Sequence, residues 1–221
     1  MQTIRGILFE PVGCLAEFPP EPFLEIAGRL SGKKRQTSRS GSRAYWHLIN
    51  LMETSASDPL ELEAVERASL YDDVIPALSE LKAMGIQLFI ASSLSHTAIA
   101  RFLEKGRLNE YFSAVWTRDN AKGIKAAPLQ SALDAASLQP GQAMFLTDTA
   151  EGLKVAHSLG INSVLMMNDP DESRRLAMLN PAGGIVSMHE LPDFIRLVRA
   201  ENVSAASARV LPPLETLRPS D

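Results

Sequence analysis

The 221-residue chain has a single cysteine, Cys14, so no internal disulfide can form, and this thiol usage fits a reducing compartment. It has no apolar run near the roughly 18 residues that mark a membrane helix. At the N-terminus only GILF separates Arg5 from Glu10, too short for the core of a signal peptide. These absences give the expectation of a soluble, cytoplasmic protein. Positive charge is also scarce, since the net charge is -4, and nothing suggests the basic face that nucleic acid requires. The four histidines, His47, His96, His157 and His189, lack metal-ligand spacing.

What is present suits one large domain, or one core with a modest insertion. Hydrophobic residues make up 45% of the chain, and they gather in short proline-free runs. Thr3–Phe9, Gln87–Ala91, Ala114–Thr117, Ala143–Thr147 and Ser163–Met167 read as strands covered on both faces, with Gly184–Met188 as an edge strand. Helical periodicity fills the gaps. Ile75, Leu78, Leu81 and Met84 share a spacing that Gly85 ends, and Ser95 can cap a helix carrying Ile99, Phe102 and Leu103. Asp171–Leu179 and Leu191–Glu201 read as two later helices. The alternation predicts an α/β fold, a parallel sheet sandwiched between helices.

The connection from Phe9 to Gln87 is far longer than an ordinary crossover. Residues 17–72 read as a small helical insert, with helices expected over Phe23–Leu30, Tyr45–Met52 and Leu60–Leu70. Residues 1–16 and 73–201 form the expected core, and 202–221 a loosely attached, proline-bearing tail. Within the insert, SGKKRQTSRSGSR reads either as a solvated loop or as an anion-recruiting lip over a site. Trp46 and Tyr45 read as insert core, or alternatively as substrate-contacting aromatics.

Ligands of an open parallel sheet bind at the carboxyl ends of its strands. Those ends carry Glu10, then Ser92 and Ser93, then Lys122 or Lys125, then Asp148. Carboxylates hold a hard cation, whereas a hydroxyl and an ammonium hold phosphate oxygens. The set therefore points to magnesium and phosphate.

These four segments resemble the four motifs of the haloacid dehalogenase-like superfamily, which consists mostly of magnesium-dependent phosphatases and phosphomutases. Glu10-Pro11-Val12-Gly13-Cys14-Leu15 stands for its Asp-x-Asp-Gly-Thr-Leu, and Phe89-Ile90-Ala91-Ser92-Ser93 for its second motif. Lys125 in GIKAAP supplies the third, with Lys122 the second choice, and Phe145-Leu146-Thr147-Asp148-Thr149 the fourth. The resemblance implies a Rossmann-like core with a helical C1-type cap inserted after the first strand. It implies catalytic roles for Glu10, Ser92 and Lys125, magnesium held by Glu10 and Asp148, and substrate contacts at Gly13, Ser93 and Thr149. Its partner would be a small phosphorylated molecule.

The first motif departs from the family pattern at both acidic positions. Glu10 places its carboxylate about 1.5 Å farther from the backbone than an aspartate does, and errors near 1 Å cost on the order of a hundredfold in attack geometry. Val12 stands where the resemblance expects the proton donor, whose loss costs on the order of 10² to 10⁴. Glu17 and Glu151 are the substitute donors within reach by sequence. The resemblance thus implies an intact phosphate-holding half beside a damaged attacking half. The expected function is a phosphate-ligand-binding or regulatory module, with an active phosphatase using Glu10, or a protein-interaction module, as alternatives.

Overall fold

A computed structural model describes residues 3–31 and 58–208. Six strands, β1 (Gly6–Phe9), β4 (Gln87–Ala91), β5 (Ala114–Trp116), β6 (Ala143–Thr147), β7 (Asn162–Met166) and β8 (Gly183–Ile185), form one sheet. Their order is β5-β4-β1-β6-β7-β8, and every pairing is parallel. The chain therefore has the α/β architecture that the alternation predicts.

β1 lies at the centre because all four of its residues are buried. Its register runs from Gly6 beside Gln87 and Ala143 to Phe9 beside Ile90 and Leu146. Side chains alternate across a strand. Ile7 and Phe9 pack into one core with Leu78, Leu81, Ile99 and Ile195, whereas Leu8 faces Phe89, Leu129, Leu133 and Phe145. The first core is roofed by α3 (Val74–Ala83), α4 (His96–Gly106) and α8 (Leu191–Ala208), and the second by α5 (Ala126–Ala136) and α6 (Ala150–Ser158). Helix α7 (Pro170–Ala177) follows β7.

Several element ends differ from expectation. β1 begins at Gly6 rather than Thr3, and β8 stops at Ile185 because Met188–Glu190 turns into a 3₁₀ segment. Ile75 is 38% exposed, since the buried face of α3 is Val74, Ala77, Leu78 and Leu81. The α8 helix continues through Ala208 and takes in residues assigned to the tail.

The insert holds α1 (Pro20–Ser31) and α2 (Asp58–Arg67). The predicted helix over Leu60–Leu70 ends early, at Arg67, where Lys105 Nζ donates to the carbonyls of Val65, Glu66 and Ala68. Ser69–Leu70 (β3) then pairs antiparallel with Ala16–Glu17 (β2), so both ends of the insert sit beside the carboxyl end of β1. Phe18 packs on Phe23 and Phe102, with ring centroids 6.2 and 5.5 Å apart, which joins insert and core in one hydrophobic cluster. The helix expected over Tyr45–Met52, including Trp46 and His47, lies outside the described residues, as does the basic segment Lys33–Arg43.

Candidate active site

β1 delivers Glu10 directly after Phe9, and the chain then folds back tightly. The N–H groups of Cys14, Leu15 and Ala16 all donate to the Pro11 carbonyl. That turn requires Gly13, whose φ is +76°, and a Cβ added there would lie 2.1 Å from Asp148 Oδ2. Asp148 follows β6 and thus lies against the Gly13 backbone. Asn168, after β7, donates to the Gly13 carbonyl at 2.7 Å and reaches Asp148 Oδ2 at 3.5 Å.

Glu10 is 1% exposed. Its Oε1 accepts a 2.7 Å hydrogen bond from Ser92 Oγ, at the end of β4. Oε2 is buried without a well-formed hydrogen bond, and the backbone N–H groups of Ser93 and Val12 lie close enough to the carboxyl to favour its ionised form. Burial pushes the Glu10 carboxyl up to about 8; the Ser92 hydrogen bond opposes the rise and the Asp148 carboxylate adds to it. Near pH 7 the cation-free side chain is therefore mostly neutral. Burial, then Asp148 and Glu10, likewise raise the Cys14 thiol well above its ordinary value, so it stays protonated.

The remaining predicted residues occupy two distinct surroundings. Ser93 is 1% exposed, and its Oγ accepts the Lys125 N–H at 2.8 Å. Lys125 precedes α5 with φ 57° and is half-buried, whereas Lys122 is exposed. Thr149 is 1% exposed and spends its hydroxyl on capping α6, accepting from Gly152 N–H at 3.1 Å. Ser95 caps α4 in the same way, accepting from Ala98 N–H.

A cleft of about 1120 Å³ opens beside this group. Gly13 and Asp148 reach it, whereas Glu10, Ser92, Ser93, Lys125 and Thr149 are not among the residues that line it. Val12 lines it, at the position where the motif resemblance places a proton donor. Glu17, Asp72, Asp73, Asp148, Asp169, Asp171 and Glu172 line it too, and none of its described lining residues is Lys, Arg or His. Glu17, one of the substitute donors, thus borders the cleft, while Glu151 in the first turn of α6 does not.

The family's magnesium can be tested against these groups. Among the described residues, no cluster of three His, Cys, Asp or Glu side chains is placed to hold a metal. Magnesium commonly takes one or two carboxylates and keeps several waters. Glu10 and Asp148 meet that smaller demand, and the buried Oε2 of Glu10, without a well-formed hydrogen bond, is the kind of atom a cation satisfies.

Four residues outside the predicted set also belong to the surroundings of the site. Tyr71 lines the cleft, and burial with the nearby Cys14 and Asp148 raises its hydroxyl above the ordinary value. Arg118 and Glu61 form a buried ion pair at 2.6 Å behind the Ser92-Ser93 strand end. Arg118 and Asn168 both follow strands at their carboxyl ends, so the strand-end rule could have found them. Glu61 carries no such signal, because a lone acid on a polar helix reads as exposed.

No helix among the described residues is long and apolar enough to cross a membrane. Among solved structures, a predicted phosphatase from Clostridium acetobutylicum superposes with a TM-score of 0.69 at 18% identity, covering 89% of this chain and 100% of that one. The L-2-haloacid dehalogenase of Xanthobacter autotrophicus superposes at 0.61 with 15% identity, covering 87% of this chain and 98% of that one. At these identities the likeness establishes the fold. Enolase-phosphatase E1 of Sorangium cellulosum is 31% identical over 104 residues, which are 46% of this chain and 45% of that protein. Acyl-CoA dehydrogenase family member 10 of Mus musculus is 31% identical over 152 residues, 67% of this chain and 13% of that protein. The chain thus matches about half the length of the enolase-phosphatase and a small part of the mouse protein. The profile of the haloacid dehalogenase-like hydrolases matches residues 34–166. The chain belongs to the haloacid dehalogenase-like hydrolase family.

Proposed function

We propose that this family member binds a small phosphorylated molecule, with magnesium, as a binding or regulatory module and hydrolyses phosphate esters weakly or not at all. The observation that carries the reading is the position of Glu10. A nucleophile must be held in reach of its target. Glu10 is buried, hydrogen-bonded to Ser92 and absent from the residues that line the cleft. Val12 adds support, because a valine lining the cleft can neither give nor take a proton.

The carboxylates around the cleft repel a bare phosphate, so the reading needs a cation at Glu10 and Asp148. When bound there, magnesium would supply positive charge for phosphate oxygens. Similarity to enolase-phosphatases supports a phosphate ester as the ligand class. The test is turnover of a panel of phosphate monoesters by the full chain with magnesium, run beside thermal stabilisation by magnesium and inorganic phosphate. Turnover at least roughly a hundredfold below the ordinary 1–10³ s⁻¹, together with stabilisation, is expected. Turnover within that range, or no stabilisation by either ligand, overturns the reading.

A second reading, an active phosphatase that uses Glu10, is favoured by one observation. The buried Oε2 has no well-formed hydrogen bond among the described residues, and a cation there would ionise the carboxyl. Under that reading Glu10→Gln abolishes turnover and Glu10→Asp keeps or raises it. Unchanged turnover in Glu10→Gln removes it.

A further inference from the structure

Between the insert and the strand ends lies a continuous chain of contacts that the phosphate-site reading does not use. Arg118, in the loop after β5, is 4% exposed. Its Nη1 donates to Glu61 Oε1 at 2.6 Å and to the Ser93 carbonyl at 3.0 Å, and its Nη2 to Asp58 Oδ1 at 2.5 Å. Glu61 is itself fully buried, and its Oε2 accepts the Ser95 N–H at 2.9 Å. One guanidinium therefore binds the first turn of α2, in the insert, to the segment that carries Ser92, Ser93 and Ser95.

The contacts continue to the lysine. Ser93 presents its carbonyl to Arg118 and its hydroxyl to Lys125 N–H, so the same residue is gripped from both sides. The Gly123 N–H donates to the Arg118 carbonyl at 3.0 Å, which ties the intervening loop to the arginine's own backbone. Lys125 has φ 57° and ψ -92°, a conformation that a lysine keeps only when its surroundings impose it. The Ser93 hydroxyl, which accepts the Lys125 N–H, is one contact that holds it.

We propose that Arg118 is a positioning residue that makes the placement of Lys125 depend on α2 being docked. A buried pair of charges is a poor way to add stability, since hydrophobic replacements of such pairs are often as stable or more so. A planar fork with several donors is, however, well suited to holding three acceptors in one fixed arrangement. Arg118 is used in that way: Asp58 and Glu61 come from the insert, and Ser93 from the core. The inference rests on the reading that Lys125 serves a phosphate-type site, but the linkage itself can be measured without any ligand.

The test is hydrogen exchange on the full chain for wild type, Ser93→Ala, Arg118→Lys and Arg118→Met. Losing one net hydrogen bond corresponds to roughly fivefold faster exchange of the amides it protected. Ser93→Ala is expected to speed residues 122–126 by about that factor and to leave 58–67 unchanged. Arg118→Met is expected to speed both segments, with β6 and β7 unchanged. Arg118→Lys retains the charge but not the fork, so it is expected to speed both segments less, and it carries the test if Arg118→Met does not fold. Faster exchange over 58–67 with 122–126 unchanged in the Arg118 variants would mean that the arginine only staples the insert, which overturns the proposal. No change in either segment overturns it as well. Weakening of inorganic phosphate binding by Arg118→Lys, measured with magnesium, is the further expected effect. Failure of the wild type to bind phosphate would sink the site reading and leave the exchange result standing.

Discussion

Ser92 Oγ and Glu10 Oε1 meet at 2.7 Å across the neighbouring ends of β4 and β1, both side chains buried. The hydroxyl also accepts the Leu94 N–H at 3.2 Å. Ser92 therefore serves the carboxyl group and its own loop at once, with its hydroxyl already committed in the ligand-free chain.

Ser92→Ala leaves Glu10 Oε1 without that donor in a buried place. An unsatisfied buried acceptor costs about 1–3 kcal/mol, and in a chain of this size each kcal/mol shifts Tm by roughly 2–4 °C. A fall of several degrees in Tm is expected at pH 7, measured by thermal denaturation. The same substitution on an exposed serine such as Ser158 serves as the control and is expected to stay within about 0.5 kcal/mol of wild type.

The pH dependence follows from the sign of the Glu10 shift. The folded carboxyl titrates near 8 and the unfolded one near 4.5, so the fold holds a proton that the unfolded chain releases in that window. This contribution is complete below pH 4.5, shrinks as pH rises toward 8, and is gone above it. One such group changes stability by at most about 1.4 kcal/mol per pH unit. Denaturant unfolding of metal-free protein at several pH values is expected to show the decline, and Glu10→Gln to flatten that part of it.

Gly13→Ala forces a side chain into a left-handed turn, which costs roughly 1–2 kcal/mol, and drives its Cβ into Asp148. Asp148 must then shift from its place against the Gly13 backbone. A lower Tm, together with loss of any stabilisation by magnesium, is expected from melts with and without the ion.

Lys105→Met removes the ammonium that three carbonyls at the end of α2 share. Local opening of α2 is expected, seen as faster hydrogen exchange over residues 58–67. Core strands β6 and β7 should keep wild-type protection, because the hydrogen bonds of Lys105 all go to the carbonyls at the end of α2.

The sheet was legible in the sequence because each strand is a short apolar run, and so was the site's position, because polar residues follow those runs. The less legible parts lack a local signal. β2 and β3 hold two residues each, too few to show a period, and they pair only because the insert returns to β1. Ile75 has the right spacing but the wrong phase, which packing against the sheet decides. Glu61 stands alone on a polar helix, and nothing local in the sequence announces the Arg118 guanidinium that pairs with it in the interior. Gly13 and Asp148 do reach the cleft, but the sequence could not show that Glu10 lies outside its lining.

The most direct measurement of the central claim is kcat for a phosphate monoester in the full chain, wild type against Glu10→Asp/Val12→Asp, with magnesium and matched folding by circular dichroism. If the attacking half is what this chain lacks, restoring both aspartates raises kcat by on the order of 10² to 10⁴. A wild-type kcat equal to or above that of the double variant would contradict the account.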